Sequence, residues 1–314
     1  MSENVRLISP SEIQPNKENP RLIFRRDELE ALERSISKQG ILVPLTVFDN
    51  GEHFTILDGE RRWRCAFKLG LSQVPVIIQP KPNRLTNIMM MFAIHKARSD
   101  WDPLPTAMKL AELEAELERR HGSPPTEAAL AAAASLSRGE VRRYRRILNL
   151  PDRYKSELMA ELDKPRHEQV LTVDHILETT KGVDALLKRE IITESEADGL
   201  SDAIVLKFKQ KTEKSTVGPR ALPKIARAVE RGDVRVERVR AVIRQLTDDV
   251  GYSCDDAFTD AAAEAESERS LEILIDRFER QITDHIESDF RISRALTVRI
   301  QTLLQKLLEA DRYD

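Results

Sequence analysis

The run Asp58-Gly59-Glu60-Arg61-Arg62-Trp63-Arg64 sets two arginines directly behind a glycine, at the end of the apolar stretch Phe54-Thr55-Ile56-Leu57. A strand that turns at Gly59 into a helix would place Arg61 and Arg62 in the first helical turn, where the partial positive charge of the helix end disfavours cations. The placement makes chemical sense if an anion shares the spot. Free N–H groups behind a glycine turn, with guanidinium forks beside them, form a phosphate site. A second cationic group, Arg138, Arg142, Arg143, Arg145 and Arg146, puts five arginines into nine residues. It follows Ser137-x-x-Glu140, a capping box that opens a helix. Arginines on such a helix clamp DNA phosphates and reach guanine edges. Each group has a plainer alternative. Arg61 and Arg62 would pair with Asp58 and Glu60, which the turn and charges alone favour. The run at 138–146 would be a solvated face, although the cap, a preceding alanine helix and the arginines together favour DNA.

The elements that must position these residues are legible in outline. Val5-Arg6-Leu7-Ile8 reads as a strand, and Pro10, Pro15 and Pro20 make the next stretch a loop. Asp27-x-x-Glu30 looks like the cap of a helix to about Lys38, with Leu29, Leu32 and Ile36 on one face. Leu45–Phe48 and Phe54–Leu57 flank Asp49-Asn50-Gly51, a hairpin signal. The helix behind Gly59 turns an apolar face, Trp63, Ala66 and Phe67, towards the sheet. Val74–Ile78 reads as a strand, placed at an edge by Pro75. Arg84 to about Lys96 reads as a helix whose methionines 89–91 fill core.

Pro103 and Pro105 mark a boundary, followed by a helix to about Arg120 with Leu110, Leu113 and Leu117 on one side. Thr126 caps an alanine-rich helix, and the next buries Val141, Tyr144 and Leu148. Two short helices, a tight turn and an arginine-loaded second helix read as a helix-turn-helix. Further on, helices are expected at 173–188, 194–208, 223–231 and 234–246. Lys207, Lys209, Lys211 and Lys214 form a basic run that either touches DNA backbone or is a solvated linker. Residues 255–268 hold six acidic residues and no basic one, and read as a linker or frayed helix. Leu271, Ile275, Phe278, Ile282, Ile286 and then Leu296, Ile300, Leu303, Leu307 form two stripes of a helical hairpin, with dimerisation favoured over packing on its own chain.

Bulk properties bound the function. The 314 residues allow two or three domains, and 40% hydrophobic with 33% charged content describes a helix-rich soluble chain. A net charge of −3 makes any nucleic-acid site a local patch. Two cysteines, Cys65 and Cys254, fit a reducing cytosol and argue against a disulfide framework or zinc cluster. No apolar run is long enough to span a membrane, so a cytoplasmic protein with no membrane partner is expected.

Gly59-Glu60-Arg61-Arg62-Trp63-Arg64 resembles the central box of the ParB family of DNA partition proteins. Ser35-Ile36, Gly40–Val47, Leu69-Gly70-Leu71 and Val74–Ile77 agree with it, and residues 126–151 resemble that family's helix-turn-helix. The resemblance covers residues 5–160, about half the chain. It implies that the box binds the triphosphate of CTP, with Arg21 and Arg98 assisting. Nucleotide would then close two N-terminal domains into a clamp that slides on double-stranded DNA. The box separates this chain from sulfiredoxins, relatives of the fold with a catalytic cysteine at the equivalent turn, since Cys65 lies inside the helix. Departures matter. Asn19 stands where the family has a hydrolytic glutamine, and Ile94-His95 where it has a metal-positioning Glu-Asn, so magnesium and CTP hydrolysis are in question and a weak CTPase at most is expected. A ParA-type ATPase partner is less certain than DNA, because the family's basic N-terminal tail is represented only by Arg6.

The expected fold is an α+β ParB-like domain over 1–102, followed by mostly α-helical parts: the helix-turn-helix (103–164), a helical middle region (165–254), the acidic linker (255–268) and the dimerising hairpin (269–314). Nucleotide-binding residues are Arg21, Gly59, Glu60, Arg61, Arg62 and Arg98; DNA-binding residues are Ser137, Arg138, Arg142, Arg143, Arg145 and Arg146. No metal site and no catalytic residue are assigned. The favoured function is a CTP-responsive, site-specific DNA-binding homodimer in plasmid or chromosome partition or a related DNA-linked process. The alternatives are a nucleotide-independent helix-turn-helix regulator and a ParB-like nuclease using Asp58, Glu60 or Asp100.

Overall fold

The computed structural model describes residues 5–96, 102–288 and 291–310, and the side chains of all of these except 95, 96, 307 and 310. The chain divides into two compact units, Met1–Lys181 with Ser201–Val217, and Gly182–Leu200 with Gly218–Asp314. No helix among the described residues is long and apolar enough to cross a membrane.

The first unit opens with a five-stranded sheet. Strands β1 (Val5–Ile8), β2 (Ile13–Gln14), β3 (Leu45–Asp49), β4 (Phe54–Asp58) and β5 (Val74–Gln79) lie in the order β1-β5-β3-β4-β2. The β3–β4 hairpin forms as its turn chemistry predicts: Gly51 takes φ 95° and the Asn50 N–H donates to the His53 carbonyl at 2.9 Å. Two expectations fail here. Strand β5 is internal, paired with β1 on one side and β3 on the other. Pro75 is tolerated because the β3 ladder begins only at Val76. The proline-broken segment is also not simply loop. Ser9 and Glu12 cap a single 3₁₀ turn at Pro10–Glu12, and the two-residue β2 then pairs parallel with Phe54 and Thr55. A two-residue strand shows no alternation from which it could be read.

Strand alternation gives the sheet two apolar faces. On one, Leu45, Val47, Ile56, Val74 and Val76 pack with Ala66 of α2 (Glu60–Lys68). On the other, Phe48 and Leu57 pack with Met91 of α3 (Arg84–Lys96). Helix α2 does not bury Phe67, which is 59% exposed; Cys65 is buried instead, its Sγ 3.7 Å from the Leu29 carbonyl of α1 (Arg26–Gln39). The helix is therefore rotated towards α1, beyond what a sheet alone would demand. Helix α1 starts one residue before the expected cap. Arg25 is its N-cap, and Asp27 and Glu28 lie in the first turn, where they suit the helix dipole.

Helix α3 is apolar on both sides. Its Leu85, Ile88 and Phe92 join Leu110, Leu113 and Leu117 of α4 (Pro103–His121), Leu130 and Ala131 of α5 (Glu127–Ala133) and Val141 of α6 (Arg138–Leu148) in one helical core. The caps are as read: Thr126 Oγ1 accepts from Ala129 N at 3.2 Å, and Ser137 and Glu140 satisfy each other's backbone N–H groups. Helix α6 buries Val141 and Ile147, while Tyr144 and Leu148 are half-buried. Helices α7 (Asp152–Leu162), α8 (Val173–Leu187) and α9 (Glu194–Lys209) follow. Lys207 is fully buried in α9 and Lys209 pairs with Glu157 at 2.9 Å, so the first half of the lysine run is not a solvated strip.

In the second unit α10 (Leu222–Arg231) ends at a left-handed Gly232, before α11 (Val236–Asp248). The acidic stretch at 255–268 proves to be the start of α12 (Cys254–Glu287), capped by Ser253 and Asp256. Its alanines 257, 261 and 262 are buried, which anchors a segment whose charge alone suggested a linker. Along the rest of α12 and on α13 (Arg294–Ala310), Leu271, Ile275, Phe278, Ile286, Leu296 and Leu303 are exposed in the single chain. Leu307 of the second stripe lies outside the described side chains.

Leu113 is fully buried where α3, α4 and α5 meet. Leu113→Ala is expected to lower the unfolding free energy by roughly 2–5 kcal/mol in urea titration. A loss well under 1 kcal/mol would contradict this packing.

Candidate functional site

Gly59 is the N-cap of α2, with φ 99° and no side-chain cap. That left-handed conformation is cheap only for glycine. A Cβ there would also stand 3.0 Å from Arg62 Nη2 and 3.1 Å from Leu45 Cγ. Arg62 thus lies across the turn. Its Nη1 donates to the Val43 carbonyl and, at 2.8 Å, to the Pro44 carbonyl, and its Nη2 donates to Asp58 at 2.9 Å. In this conformation Arg62 ties β4 and the start of β3 to the helix.

The other predicted residues converge on α1. Arg61 Nη2 donates to the Glu28 carbonyl at 2.9 Å, and Arg21 Nη2 donates to the Glu28 carboxylate at 2.6 Å. Glu60 is buried and accepts from Asn19 Nδ2 at 2.7 Å and from Arg64 Nη2 at 2.7 Å. Arg64 and Arg21 both lie over the Phe24 ring, at 4.0 and 5.4 Å. Asn19, standing at the glutamine position of the resemblance, therefore holds Glu60 in place. Arg98 lies outside the described residues, as does Asp100; of the substituted pair, Ile94 is half-buried against Phe48, Leu57 and Met91, and the His95 side chain is not among those described.

Sequence reasoning missed two residues here. Arg25 is buried, 4% exposed at its side chain, and pairs with Asp102 at 2.9 Å, while its Nε and Nη1 find no hydrogen-bond partner among the described residues. Glu28 accepts from Arg21 at its carboxylate and from Arg61 at its backbone carbonyl. A run of Arg25-Arg26-Asp27-Glu28 reads as ordinary helix-start charge, so only the tertiary contacts single these two out. Buried guanidinium donors left open beside Arg21 and the α2 N-terminus fit the chemistry of a phosphate ligand. The carboxylates fit magnesium less well: Asp58 is held by Arg62 and Glu60 by Asn19 and Arg64, and no group of three His, Cys, Asp or Glu that could hold a metal occurs among the described residues. Burial, with Glu33 nearby, pushes the Cys65 thiol up, which disfavours the nucleophilic thiolate.

On α6 the arginines divide. Arg145 Nη2 bonds Glu114 of α4 at 2.6 Å, Arg143 Nη1 bonds Asp174 of α8 at 2.8 Å, and Arg142 Nη1 bonds Glu127 of α5 at 3.2 Å. Arg138 and Arg146 are exposed and make no ion pair among the described residues. With Arg142 they share one face at i, i+4, i+8 spacing. Ser137 is spent on its cap.

Gly59→Ala is expected to destabilise the protein by about 1–3 kcal/mol from backbone strain alone, with further loss if Arg62 leaves the Pro44 carbonyl. Chemical denaturation reads it, and an unchanged midpoint would mean that the turn relaxes freely.

Residues 1–93 match the ParB N-terminal domain family. A nucleoid occlusion protein of Geobacillus sp. (strain WCH70) is 33% identical over 173 residues, 54% of this chain and 59% of that protein. The chromosome-partitioning protein ParB of Caulobacter vibrioides (strain NA1000 / CB15N) is 33% identical over 156 residues, 48% of this chain and 49% of its own length. The chain spans about half the length of the curated relatives it matches. Among solved structures, C-terminally truncated ParB from Caulobacter crescentus complexed with CTP-gamma-S is 29% identical, covers 52% of this chain and 89% of that one, and has a TM-score of 0.29. The same protein complexed to the centromeric parS site is 24% identical, covers 70% and 98%, and has a TM-score of 0.38. The chain is similar to ParB and nucleoid occlusion proteins over about half its length, and its residues 1–93 match the ParB N-terminal domain family.

Proposed function

We propose that the protein is a ParB-like, sequence-specific DNA-binding protein that acts in chromosome or plasmid partition or a related DNA-linked process such as nucleoid occlusion. The observation that carries this reading is α6: a box-capped helix behind a ParB N-terminal domain, presenting Arg138, Arg142 and Arg146 to solvent. Arg143 and Arg145 brace the helix against α8 and α4 and become available to DNA only if they leave Asp174 and Glu114. Such exposed pairs are worth little, so exchanging a carboxylate for a phosphate costs little. Removing Arg138 and Arg146 together is expected to weaken DNA binding and to flatten the plot of log K against log salt by about two. Fluorescence anisotropy over a salt series measures this, and an unchanged slope would move the DNA surface elsewhere.

The N-terminal domain takes CTP, with triphosphate at the α2 N-terminus and with Arg21, Arg61 and Arg62 as its cations. Two such domains close as a sliding clamp, and Arg98 contributes if it reaches the same place. Hydrolysis is weak or absent, because Asn19 is tied to Glu60 and the carboxylates are engaged with arginines. The chain dimerises through α12 and α13, whose exposed stripes need cover. A ParA-type ATPase is a further partner on this reading.

One observation favours a second reading. Arg62 and Arg61 hold backbone carbonyls in this conformation, as scaffold arginines would in a nucleotide-independent regulator. Calorimetry with CTP, ATP, GTP and UTP, with and without magnesium and cognate DNA, separates the two. Micromolar CTP binding that is lost in the Arg61→Ala, Arg62→Ala double variant supports the clamp. Full DNA binding with no response to any nucleotide supports the regulator.

A further inference from the structure

One carboxylate of the candidate nucleotide site has three guanidinium groups around it. Glu28 Oε2 accepts from Arg21 Nη2 at 2.6 Å. Glu28 Oε1 lies 3.3 Å from Arg166 Nε and 3.6 Å from Arg25 Nη1, the latter beyond hydrogen-bond reach. The backbone carbonyl of the same residue accepts from Arg61. Three guanidinium groups around one side-chain carboxylate is the arrangement a phosphate group would demand of them, since both anions offer a pair of oxygens to a guanidinium fork. The cluster is also under-filled. Arg25 is nine-tenths buried, and its Nε and Nη1 have no hydrogen-bond partner among the described residues. Buried open donors of a charged group are costly, and an acceptor with more oxygens than Glu28 offers would satisfy them. A cleft of about 490 Å³, lined in part by Ile23, Phe24 and Arg25, opens beside them.

We infer that Glu28 is an internal stand-in for a phosphate: it neutralises Arg21, Arg25 and Arg166 in this conformation, and a phosphate of an incoming nucleotide displaces it. The inference rests on the nucleotide reading above and adds a residue that sets its affinity. Glu28 is then a positioning residue that opposes binding, unlike Arg21 or Arg61, which favour it. The arrangement keeps adventitious anions out, because a single-charge anion gains too little over Glu28 to replace it, whereas a triphosphate reaches several donors at once.

The test is calorimetric titration of the full chain with CTP and with inorganic tripolyphosphate, comparing wild type with Glu28→Gln and Glu30→Gln. The first substitution keeps the size and one acceptor of the side chain but removes its charge. Glu30 lies two residues on, lines the same cleft and, among the described residues, pairs with the exposed Arg26 at 3.0 Å, so it reports the general effect of losing a nearby carboxylate. Displacement predicts that Glu28→Gln binds both probes about tenfold tighter, equivalent to one charge-assisted contact, and that Glu30→Gln changes little. Equal tightening in both variants, or none in Glu28→Gln while wild type binds CTP, overturns the inference and leaves the nucleotide reading standing. Absence of binding in all three overturns the nucleotide reading, and this inference with it. If Glu28→Gln melts below the assay temperature, Glu28→Asp draws the carboxylate back by one methylene and is expected to tighten binding in the same direction; weaker binding there overturns displacement.

Discussion

The structure of the first unit depends on α3 burying both of its faces. Ile88 and Phe92 face the core of α4, α5 and α6, and Met91 faces Phe48 and Leu57 of the sheet. A helix used this way cannot slide or rotate without opening one core or the other. It is further pinned by a buried pair of amides: Asn16 Nδ2 donates to Asn87 Oδ1 at 2.8 Å, and Asn87 Nδ2 donates back to Asn16 Oδ1 at 3.1 Å. A reciprocal buried pair of this kind is costly to half-break, because each partner would leave the other unsatisfied. It fixes the segment before Asn19 and Arg21 against α3. The loop from Asn16 to Arg21, the sheet and helices α4 to α6 are therefore held by one element, although Pro103 and Pro105 suggest a boundary between them.

The second theme is charge compensation. A third of the chain is charged, yet the net charge is only −3. At both candidate sites several of the cations are held by acids: Arg21 and Arg166 by Glu28, Arg142 by Glu127, Arg143 by Asp174 and Arg145 by Glu114. For these residues binding an anion is an exchange of partners, whereas Arg138 and Arg146 make no ion pair among the described residues. The cost of exchange differs between the sites. The pairs on α6 are exposed and weak, while Arg25 with Asp102 is buried, where leaving either partner alone is expensive. An incoming anion can reorganise the first set easily. An anion at α1 must come with enough charge to compete.

In the second unit the opposite problem arises. Apolar side chains that would form a core are turned to solvent along α12 and α13. The base of α12 shows how the chain avoids this elsewhere. Ala257, Ala261 and Ala262 recur at helical spacing and let α12 pack closely, so a stretch with six acidic residues still belongs to a folded helix. Beyond them the side chains are large and the cover is missing.

What the sequence by itself determined was local. The caps at Thr126 and Ser137, the Gly51 and Gly59 turns and the alternating strands follow from nearest-neighbour chemistry, which one chain carries in full. The α+β head and the helical remainder were legible for that reason, whereas the box at 59–64 was legible through its resemblance to the ParB family. Tertiary structure decided everything that depends on a partner far along the chain. It put β5 inside the sheet despite Pro75, exposed Phe67 and buried Cys65, and made the acidic segment a helix. It alone sent Arg62 to the Pro44 carbonyl, brought Arg166 to Glu28 across 138 residues and left Arg25 buried with open donors. A guanidinium reads the same in sequence whether it faces water, a carbonyl or a carboxylate. Which of these it meets depends on packing, and packing depends on residues that no local window contains.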